Sequence, residues 1–552
     1  MTWKLRESHR KKLAAEEGFI PSTRGGDLSV CLVSPNRYHV GMSNLGFQTV
    51  YRLLNEIPGV VCERAFLPDA DEMKEYRASG CRFMTLESQR EAASFDLIAF
   101  SISFEQDYLN LPLIFGLAGI PAFARDRDDS FPLVLAGGAA LFLNPEPVAD
   151  FIDLVAVGEA EPLLPRLMEL LRGDEERSLL LERAAGIPGV YVPALRAPRY
   201  GDGRLAGWAV SGGAPKLVRR TWATDAEPSA SAIFTPDTEF GDMALIEVSR
   251  GCPRGCRFCA AGFIYLPFRQ LPLEAVLTKV AEGLPFRKKI GLVGAAVSDY
   301  REIGALCRAI LDKGGTVSVS SLRIDGIDEE MIDVLIESGH KTVALAPEGG
   351  SQRLRDLINK GITEADILAA CDRLVGKDIL NLKLYFIIGL PTETDADLEE
   401  LVALVRTIRE RVVAAARSNK RLGEVILSVN PFIPKPFTPF QWCGMAGLKE
   451  LERKGETLRK AFAPLANVRL HMESPREACL QALLSRGDRR FSALILKAHE
   501  LGGWKKGARA LGLDIEAMAC RTIPLEELLP WDFIESVPKE RLIREYRSAF
   551  AV

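Results

Sequence analysis

The chain has 552 residues, which predicts two to four domains rather than a single core. Its 70 basic and 74 acidic residues leave a net charge of −4, which argues against a strongly basic nucleic-acid binder, and its 47% hydrophobic content excludes a disordered chain. No apolar run reaches the roughly 18 residues that span a bilayer, and the charged segment Met1–Glu17 lacks the apolar core of a signal peptide. The chain's 11 cysteines indicate reduced thiols. We therefore expect a cytoplasmic enzyme that has no membrane partner.

After a charged amino-terminal segment, residues 1–26, short apolar runs alternate with amphipathic segments up to residue 196. The apolar runs predict strands, and most of the segments between them predict helices. Strands joined by helices at this spacing are typical of a doubly wound parallel sheet, so residues 27–196 are predicted to form a Rossmann-like α/β domain. The predicted strands are Leu28–Val33, Leu97–Ile102, Leu133–Leu135 and Leu154–Val157, and the predicted helices are Phe47–Leu54, Leu113–Leu117 and Leu163–Leu171.

Residues 197–242 are rich in Gly, Pro, Ser and Thr, which predicts a linker. A second alternating series occupies residues 243–447, and its six strand–helix units fit a partial (β/α)6 barrel. Residues 448–552 have helical patterns and are predicted to form a helical accessory domain. The six predicted strands are Ala244–Val248, Ile290–Val293, Thr316–Ser320, Thr342–Ala346, Leu382–Ile388 and Val425–Val429.

Three cysteines follow the first strand of the second series: Cys252, Cys256 and Cys259. They lie on a loop rich in Gly and Pro that can fold around one centre, and thiolates are the ligands of iron–sulfur clusters. The alternative is a structural zinc site, which usually needs four ligands. Only one Cys-x2-Cys pair is present, and no His lies between Leu266 and His340. The spacing therefore favours a cluster in which one iron of four has no protein ligand.

This Cys-x3-Cys-x2-Cys motif, with Phe258 before its last cysteine, resembles that of radical S-adenosylmethionine (SAM) enzymes. The resemblance implies a [4Fe–4S] cluster whose open iron chelates the amino and carboxylate groups of SAM. It further implies that one electron from the cluster cleaves SAM into methionine and a 5′-deoxyadenosyl radical, which abstracts hydrogen from a substrate. A reductant such as flavodoxin or ferredoxin is an implied partner. The substrate is not identified.

Weaker motifs at the ends of later strands also resemble the family. The turn at Gly294 lacks the usual Gly-Gly-Glu, so backbone carbonyls would make its contact with SAM. The alternative for Glu348 is a helix cap or a pair with Arg353 or Arg355, and Arg323 and Lys360 could simply be solvated. The residues that the resemblance implies for SAM are Phe258, Gly294, Ala295, Ala296, Ser321, Arg323, Glu348, Lys360 and Gly389.

The first domain resembles the cobalamin-binding domain that precedes the barrel in one radical SAM subfamily. A buried cobalamin tail needs small residues at strand ends, although the same glycines could serve only in tight turns of an ordinary sheet. The histidine pattern that ligates cobalt is absent, and His39 is expected to be an ordinary surface residue. The residues implied for cobalamin are Ser101, Ser103, Gly137, Gly138, Gly158 and Glu159.

Three functional hypotheses follow. The first is a cobalamin-dependent radical SAM enzyme, for which methyl transfer to carbon is the commonest outcome. The second is a radical rearrangement or oxidation without methylation, in which the cobalamin domain is vestigial. The third is an RNA-modifying protein that binds RNA through basic residues of its carboxyl-terminal helices. Those residues are Lys449, Arg453, Lys454, Arg459, Lys460, Arg486, Arg489, Arg490, Lys497, Lys505, Lys506 and Arg509.

Overall fold

A computed structural model describes residues 3–19, 25–173, 175–319, 322–418 and 421–551. The chain forms two compact units, and the carboxyl-terminal region contributes to both. The first unit comprises Met1–Asp242, Leu484–Asp514 and Glu526–Ser536, and the second comprises Met243–Leu483, Ile515–Leu525 and Val537–Val552. Residues 448–552, which the sequence predicts as one accessory domain, are thus divided between the units.

A six-stranded sheet forms the centre of the first unit, with the strand order β2-β1-β3-β4-β5-β6. Neighbouring strands are parallel except at the edge, where β6 runs antiparallel to β5. Because β1 and β3 carry continuous apolar runs, the centre of the sheet is buried on both faces. The strands are β1 (Leu28–Ser34), β2 (Val60–Phe66), β3 (Leu97–Ser101), β4 (Leu133–Gly137), β5 (Leu154–Ala156) and β6 (Val190–Tyr191).

The first unit's helices come from both ends of the chain. Most of them connect strands of the sheet, and two belong to the segment that returns after residue 483. They are Trp3–Ala14, Tyr38–Met42, Leu45–Glu56, Ala70–Ser79, Leu111–Ala118, Ala139–Leu143, Ala160–Leu171, Arg177–Ala185, Phe491–Leu501 and Trp504–Ala510.

The strand β2 was not predicted, because its sequence contains Glu63 and Arg64 where an apolar run is expected. Both residues are buried in the structure. Arg64 is paired with Glu16 at 2.7 Å and with Glu87 at 2.6 Å, which offsets the cost of burying its charge. The charged partners of Arg64 lie 23 or more positions away in the sequence, so the local hydrophobic pattern does not predict this strand.

In the described part of the second unit, seven parallel strands form two connected sheets. Their order is β7-β8-β9 and β10-β11-β12-β13, and a parallel bridge between Leu322 and Leu345 joins the two sheets. All six predicted strands are present. The strands are β7 (Met243–Glu247), β8 (Lys289–Val293), β9 (Thr316–Val319), β10 (Thr342–Glu348), β11 (Asn381–Ile388), β12 (Glu424–Pro431) and β13 (Val468–Met472).

The strand β13 corrects the prediction that residues 448–552 are helical. Its side chains alternate between partly buried and exposed, which is a weak pattern, and it lies at the edge of the sheet beside β12. The helices of the second unit are Ala261–Ile264, Leu273–Gly283, Ile303–Asp312, Glu329–Glu337, Gln352–Leu357, Glu364–Gly376, Asp395–Ser418, Leu448–Phe462, Ile515–Cys520 and Lys539–Ala549, while Pro475–Arg486 passes from the second unit to the first.

The segment predicted as a linker, residues 197–242, belongs to the first unit. It contains most of an antiparallel hairpin, Arg196–Gly201 with Arg204–Val210. Two further short strands pair with distant parts of the same unit: Val218–Arg219 with Ile534–Glu535, and Ile233–Phe234 with Glu17–Gly18. In the part of the chain that the structure describes, no helix is both long and apolar enough to cross a membrane.

Candidate cluster and SAM site

The loop that carries the three cysteines begins directly after β7 and is closed at its base by a short antiparallel pairing. Ser249 and Arg250 pair with Gln270 and Arg269. Gly251 then turns the chain with a φ of +79°, and an added Cβ would lie 2.6 Å from the carbonyl oxygen of Tyr265. This close approach requires glycine, which explains the residue before the first cysteine.

All three cysteines of the loop are partly buried. Burial raises the pKa of the Cys256 thiol to about 11, opposed by the charge of Lys360, and the other two thiols add to the rise. Burial also raises the pKa of Cys259, while the backbone N–H groups of Gly262 and Ala261 favour its thiolate. Among the described residues, no three His, Cys, Asp or Glu side chains form a single-ion site. Three neighbouring thiols with backbone donors fit the ligand chemistry of an iron–sulfur cluster.

Arg257, between the second and third cysteines, holds the loop to the rest of the unit. Its guanidinium donates to the carbonyl oxygens of Leu357 at 2.8 Å and Asp356 at 3.3 Å, at the end of the helix Gln352–Leu357. Its backbone N–H donates to Ile358 O at 2.9 Å, and its own carbonyl accepts from the N–H of Phe440 at 3.1 Å. Arg257 is therefore a structural anchor of the loop.

A charged network joins the same loop to the ends of β8 and β9. The Arg254 guanidinium donates to Asp299, with one nitrogen–oxygen distance of 3.2 Å. Asp299 is also 3.9 Å from the guanidinium of Arg323, which in addition pairs with Asp325. Arg323 is thus held by acidic neighbours rather than simply solvated.

Glu348 and Lys360 form an ion pair beside the cysteine loop. Glu348 Oε1 lies 3.5 Å from Lys360 Nζ, and both side chains are largely buried. Burial raises the pKa of Glu348, and the charge of Lys360 opposes the rise. Glu348 follows a bulge in β10 and has a φ of +64°, a conformation that costs about 1 to 3 kcal/mol for a residue other than glycine. Such strain indicates that the position of this carboxylate matters.

The two alternative partners considered for Glu348 are engaged elsewhere. Arg353 pairs with Asp397, and Arg355 donates to the carbonyl oxygens of Gly349 at 3.1 Å and Gly350 at 3.0 Å. Glu348 is therefore paired with Lys360 and not with either arginine.

The turn after β8 lies against the buried side chain of Ser249. An added Cβ on Gly294 would lie 2.8 Å from Ser249 Oγ. That hydroxyl is buried and has no hydrogen-bond partner among the described residues. A buried polar atom without a partner is unusual in a folded protein, so it marks a place where a bound group can complete the site. Ala295 and Ala296 follow Gly294 in this turn.

Three other residues implied for SAM have different outcomes. The Gly389 N–H donates to the Glu393 carboxylate at 2.6 Å, so this amide is engaged within the chain. Ser321 lies outside the described residues. Phe258 is partly buried and packs on an apolar cluster beside the loop.

The residues implied for cobalamin lie at the carboxyl ends of β3, β4 and β5, but several of them contact the chain itself. An added Cβ on Gly138 would lie 2.3 Å from Ile102 O, and the Ser103 hydroxyl accepts a hydrogen bond from Asn44 at 2.7 Å. Gly137 O accepts from the N–H of Ile102 at 2.8 Å. Ser101 is partly buried at the end of β3.

The end of β5 is covered by residues 221–223 of the same unit. Gly158 forms a bridge with Thr221, and Glu159 accepts from the N–H of Ala223 at 2.9 Å. Glu159 is buried by these contacts. Of the six implied residues, Gly158 and Glu159 are thus buried against the chain itself, whereas Ser101, Ser103, Gly137 and Gly138 remain partly exposed.

Sequence reasoning did not identify Ser249, Arg257 or Asp299 as parts of the site. Ser249 and Arg257 lie within or beside the cysteine motif, but the motif specifies only ligands and one aromatic residue. Asp299 has no sequence signal, because its partners Arg254 and Arg323 are more than 20 residues away.

Comparisons with known proteins find related domains in both parts of the chain. Residues 46–193 match the family described as radical SAM proteins, N-terminal, and residues 246–405 match the radical SAM superfamily. The chain therefore contains radical SAM domains. Its radical SAM domain includes the cysteine loop and the strands β8 to β11.

The individual proteins that this chain resembles share less than a third of its residues over the matched regions. An uncharacterized protein of Methanocaldococcus jannaschii is 29% identical over 471 residues, which cover 84% of this chain and 90% of the relative. A tRNA-2-methylthio-N(6)-dimethylallyladenosine synthase of Cereibacter sphaeroides is 29% identical over 41% of this chain and 52% of that enzyme. Among solved structures, the cobalamin-dependent SAM radical enzyme OxsB has a TM-score of 0.43 at 15% identity, covering 71% of this chain and 56% of that chain. This chain thus spans little more than half the length of the latter two proteins.

Proposed function

We propose that this protein holds a [4Fe–4S] cluster on Cys252, Cys256 and Cys259 and uses it to cleave SAM reductively. The observation that carries the proposal is the set of three neighbouring thiols on a loop at the carboxyl edge of β7. When bound, such a cluster supplies the electron that converts SAM into methionine and a 5′-deoxyadenosyl radical, which abstracts hydrogen from a substrate. A flavodoxin- or ferredoxin-type protein is the proposed electron donor.

The protein's own residues have the task of binding and orienting SAM. Lys360 and Glu348 offer opposite charges, which suit the carboxylate and amino groups of an amino acid. The unpartnered Ser249 hydroxyl beside Gly294 offers a further hydrogen bond. The network of Arg254, Asp299 and Arg323 keeps the loop and two strand ends in fixed positions, which reduces the entropy lost when the reactants are aligned.

We infer that the reaction does not require cobalamin. Three contacts support this inference: Gly138 and Gly158 lie directly against backbone carbonyl oxygens, and the Glu159 carboxylate accepts a hydrogen bond from the N–H of Ala223. This favours hydrogen abstraction without methyl transfer. Anaerobically purified protein from cells supplied with a corrinoid should show iron–sulfur absorption without a corrinoid band, and a stoichiometric corrinoid band would contradict the inference.

The proposed SAM cleavage is tested by product analysis. Anaerobically reconstituted protein is reduced with dithionite and incubated with SAM, and 5′-deoxyadenosine and methionine are quantified. We expect both products in equal amounts. A protein that carries a full cluster but forms no 5′-deoxyadenosine would contradict the proposal.

A second candidate function, RNA modification, is favoured by the similarity to the tRNA-modifying synthase. The basic residues predicted for RNA binding support it only weakly. At least seven of those twelve are ion-paired in the structure: Arg453, Lys454, Arg459, Lys460, Arg489, Arg490 and Lys497. If RNA is the substrate, transfer RNA should raise the rate of 5′-deoxyadenosine formation, and its retention should weaken steeply with salt. No effect of transfer RNA at low ionic strength would exclude this function.

A further inference from the structure

The last helix of the chain, Lys539–Ala549, packs against the cysteine loop although the two are nearly 300 residues apart in sequence. Arg257 Nη2 donates to the Ser548 hydroxyl at 3.3 Å, although the two residues are 291 positions apart. Arg257 Nε lies 3.4 Å from Glu545 Oε2. The buried guanidinium between two cysteines is thus shared between the end of the helix Gln352–Leu357 and this last helix.

Apolar contacts connect the same two elements. Ala549 and Tyr546 belong to the apolar cluster on which Phe258, the aromatic residue of the cysteine motif, also packs. Beyond the last cysteine, the guanidinium of Arg541 lies over the ring of Phe263 at 5.9 Å. The helix therefore contacts the chain on both sides of Cys259.

The residues that follow β12 complete this arrangement. Phe440 donates its N–H to the carbonyl of Arg257, and its ring lies 5.9 Å from the ring of Phe550, directly after the helix. Trp442 contacts Tyr546 with 5.6 Å between ring centroids. These contacts fix the helix from its second half to its end, so it is a docked element of the second unit.

We propose that the helix Lys539–Ala549 is part of the cluster site, where it acts as a clasp that retains the cluster and tunes its potential through Arg257. The proposal rests on the proposed function. Outer residues that orient a ligand loop typically alter metal affinity by about 10- to 100-fold. Cluster potentials also respond to nearby charge. Arg257, Glu545 and Ser548 are therefore assigned as positioning residues.

Charge determines the sign of the expected effect on the cluster's midpoint potential. Reduction adds an electron, so a nearby positive charge favours the reduced cluster and a nearby negative charge disfavours it. Glu545→Gln removes a negative charge and should raise the potential, whereas Arg257→Gln removes a positive charge and should lower it. A helix that only supports the fold would not produce shifts of opposite sign.

The experiment compares cluster retention in reconstituted full-length proteins. The double variant Glu545→Gln/Ser548→Ala is measured against wild type and against Glu540→Gln, an exposed carboxylate on the same helix. After addition of a ferrous chelator, loss of the visible iron–sulfur absorbance should be about tenfold faster in the double variant and unchanged in Glu540→Gln. Circular dichroism establishes that each variant is folded. The midpoint potential of the cluster is measured in the single variants Glu545→Gln and Arg257→Gln.

The outcomes separate this proposal from the proposed function. If the wild-type protein takes up no cluster, the proposed function fails and the clasp fails with it. If the wild type holds a cluster but the double variant loses it at the wild-type rate, the clasp alone is contradicted. Potentials that shift in the same direction in both single variants would contradict the electrostatic part.

Discussion

Gly158, at the end of β5, lies so close to Thr221 that the methyl group of an alanine at this position would prevent the contact. Its φ is +127°, and an added Cβ would lie 2.3 Å from the carbonyl oxygen of Thr221. Both the backbone conformation and the contact therefore exclude other residues without local movement. The segment 221–223 covers the end of the strand only because this position has no side chain.

We predict that Gly158→Ala lowers the free energy of unfolding by about 2 kcal/mol, because it adds a steric clash to backbone strain. The matched control is Gly116→Ala, on the exposed face of the helix Leu111–Ala118, where an added Cβ meets nothing within 4 Å. The control should be neutral or stabilising by up to about 1 kcal/mol. Urea unfolding measures both, and equal effects of the two substitutions would contradict the predicted contact.

At the residue scale, the three proposed cluster ligands could be predicted from the sequence far better than the residues around them. Their spacing is visible in the chain itself, because all three cysteines lie on one short loop. The pairing of Glu348 with Lys360, and of Asp299 with Arg254, depends on how strand ends meet in space. Ser249 looks like an ordinary strand residue, and only the structure shows its buried hydroxyl without a partner.

Among the elements, the helix Leu448–Phe462 carries a buried lysine that holds a carboxylate on the turn after β11. Lys454 Nζ lies 2.7 Å from Glu393 Oε2, and Lys454 and Glu393 are 1% and 2% exposed. The Gly389 N–H donates to the same carboxylate. Burial raises the pKa of Glu393 even though Lys454 opposes the rise. The helix therefore fixes the turn that follows β11 through one buried charge pair.

We predict that Lys454→Met lowers the free energy of unfolding by about 3 to 5 kcal/mol near neutral pH, because it leaves a buried carboxylate unpaired. The loss should be smaller at about pH 5 than at about pH 8. The pKa of Glu393 is already raised in the folded state and rises further without Lys454. Between the ordinary carboxyl pKa of about 4.3 and the raised pKa of the folded variant, Glu393 is protonated in the folded protein but ionised in the unfolded chain. An increase in pH over this range therefore favours the unfolded chain, and the stability of the variant falls.

The control for this prediction lies on the same helix. Lys460 is 77% exposed and pairs with Glu456 at 3.7 Å, so Lys460→Met should cost less than about 1 kcal/mol at either pH. Denaturant unfolding at the two pH values measures all three proteins. A Lys454→Met variant that loses no more stability than Lys460→Met, or loses more at the lower pH, would contradict the assignment.

Elements were predictable wherever the apolar run was continuous. The strands β7 to β12 and the strands β1, β3, β4 and β5 follow from apolar runs bounded by polar segments, since buried parallel strands have that pattern. The strand β2 carries buried charges, and β13 is an edge strand with partly exposed residues, so neither has a distinctive run. Both are defined by pairing with neighbours rather than by their own sequence.

At the scale of the whole molecule, the chain returns to its first unit after residue 483. Asn144 donates to the carbonyl oxygens of Ser485 at 3.1 Å and Gly487 at 2.7 Å. Arg489 then pairs with the buried Glu146 at 2.9 Å and donates to Arg196 O at 2.8 Å. Sequence patterns did not predict this return, because it depends on polar contacts between segments about 340 residues apart.

We predict that Arg489→Met destabilises the protein by about 3 to 5 kcal/mol, because Glu146 would remain buried without its oppositely charged partner. The adjacent Arg490 is half exposed and pairs with Asp488, so Arg490→Met should cost about 1 kcal/mol or less. Thermal unfolding followed by calorimetry compares the two variants. Similar transition temperatures for both would contradict a structural role of the returning segment.

The most direct test of the central claim is the cluster content and SAM cleavage of Cys256→Ala. Cys256 is the middle one of the three proposed ligands, and its removal would leave one further iron without a protein ligand. After anaerobic reconstitution we expect folded protein with greatly reduced iron and sulfide and no 5′-deoxyadenosine under dithionite, while Cys81→Ala, a cysteine of the first unit outside the motif, should match wild type. A Cys256→Ala protein that keeps its full iron and cleaves SAM at the wild-type rate would contradict the account.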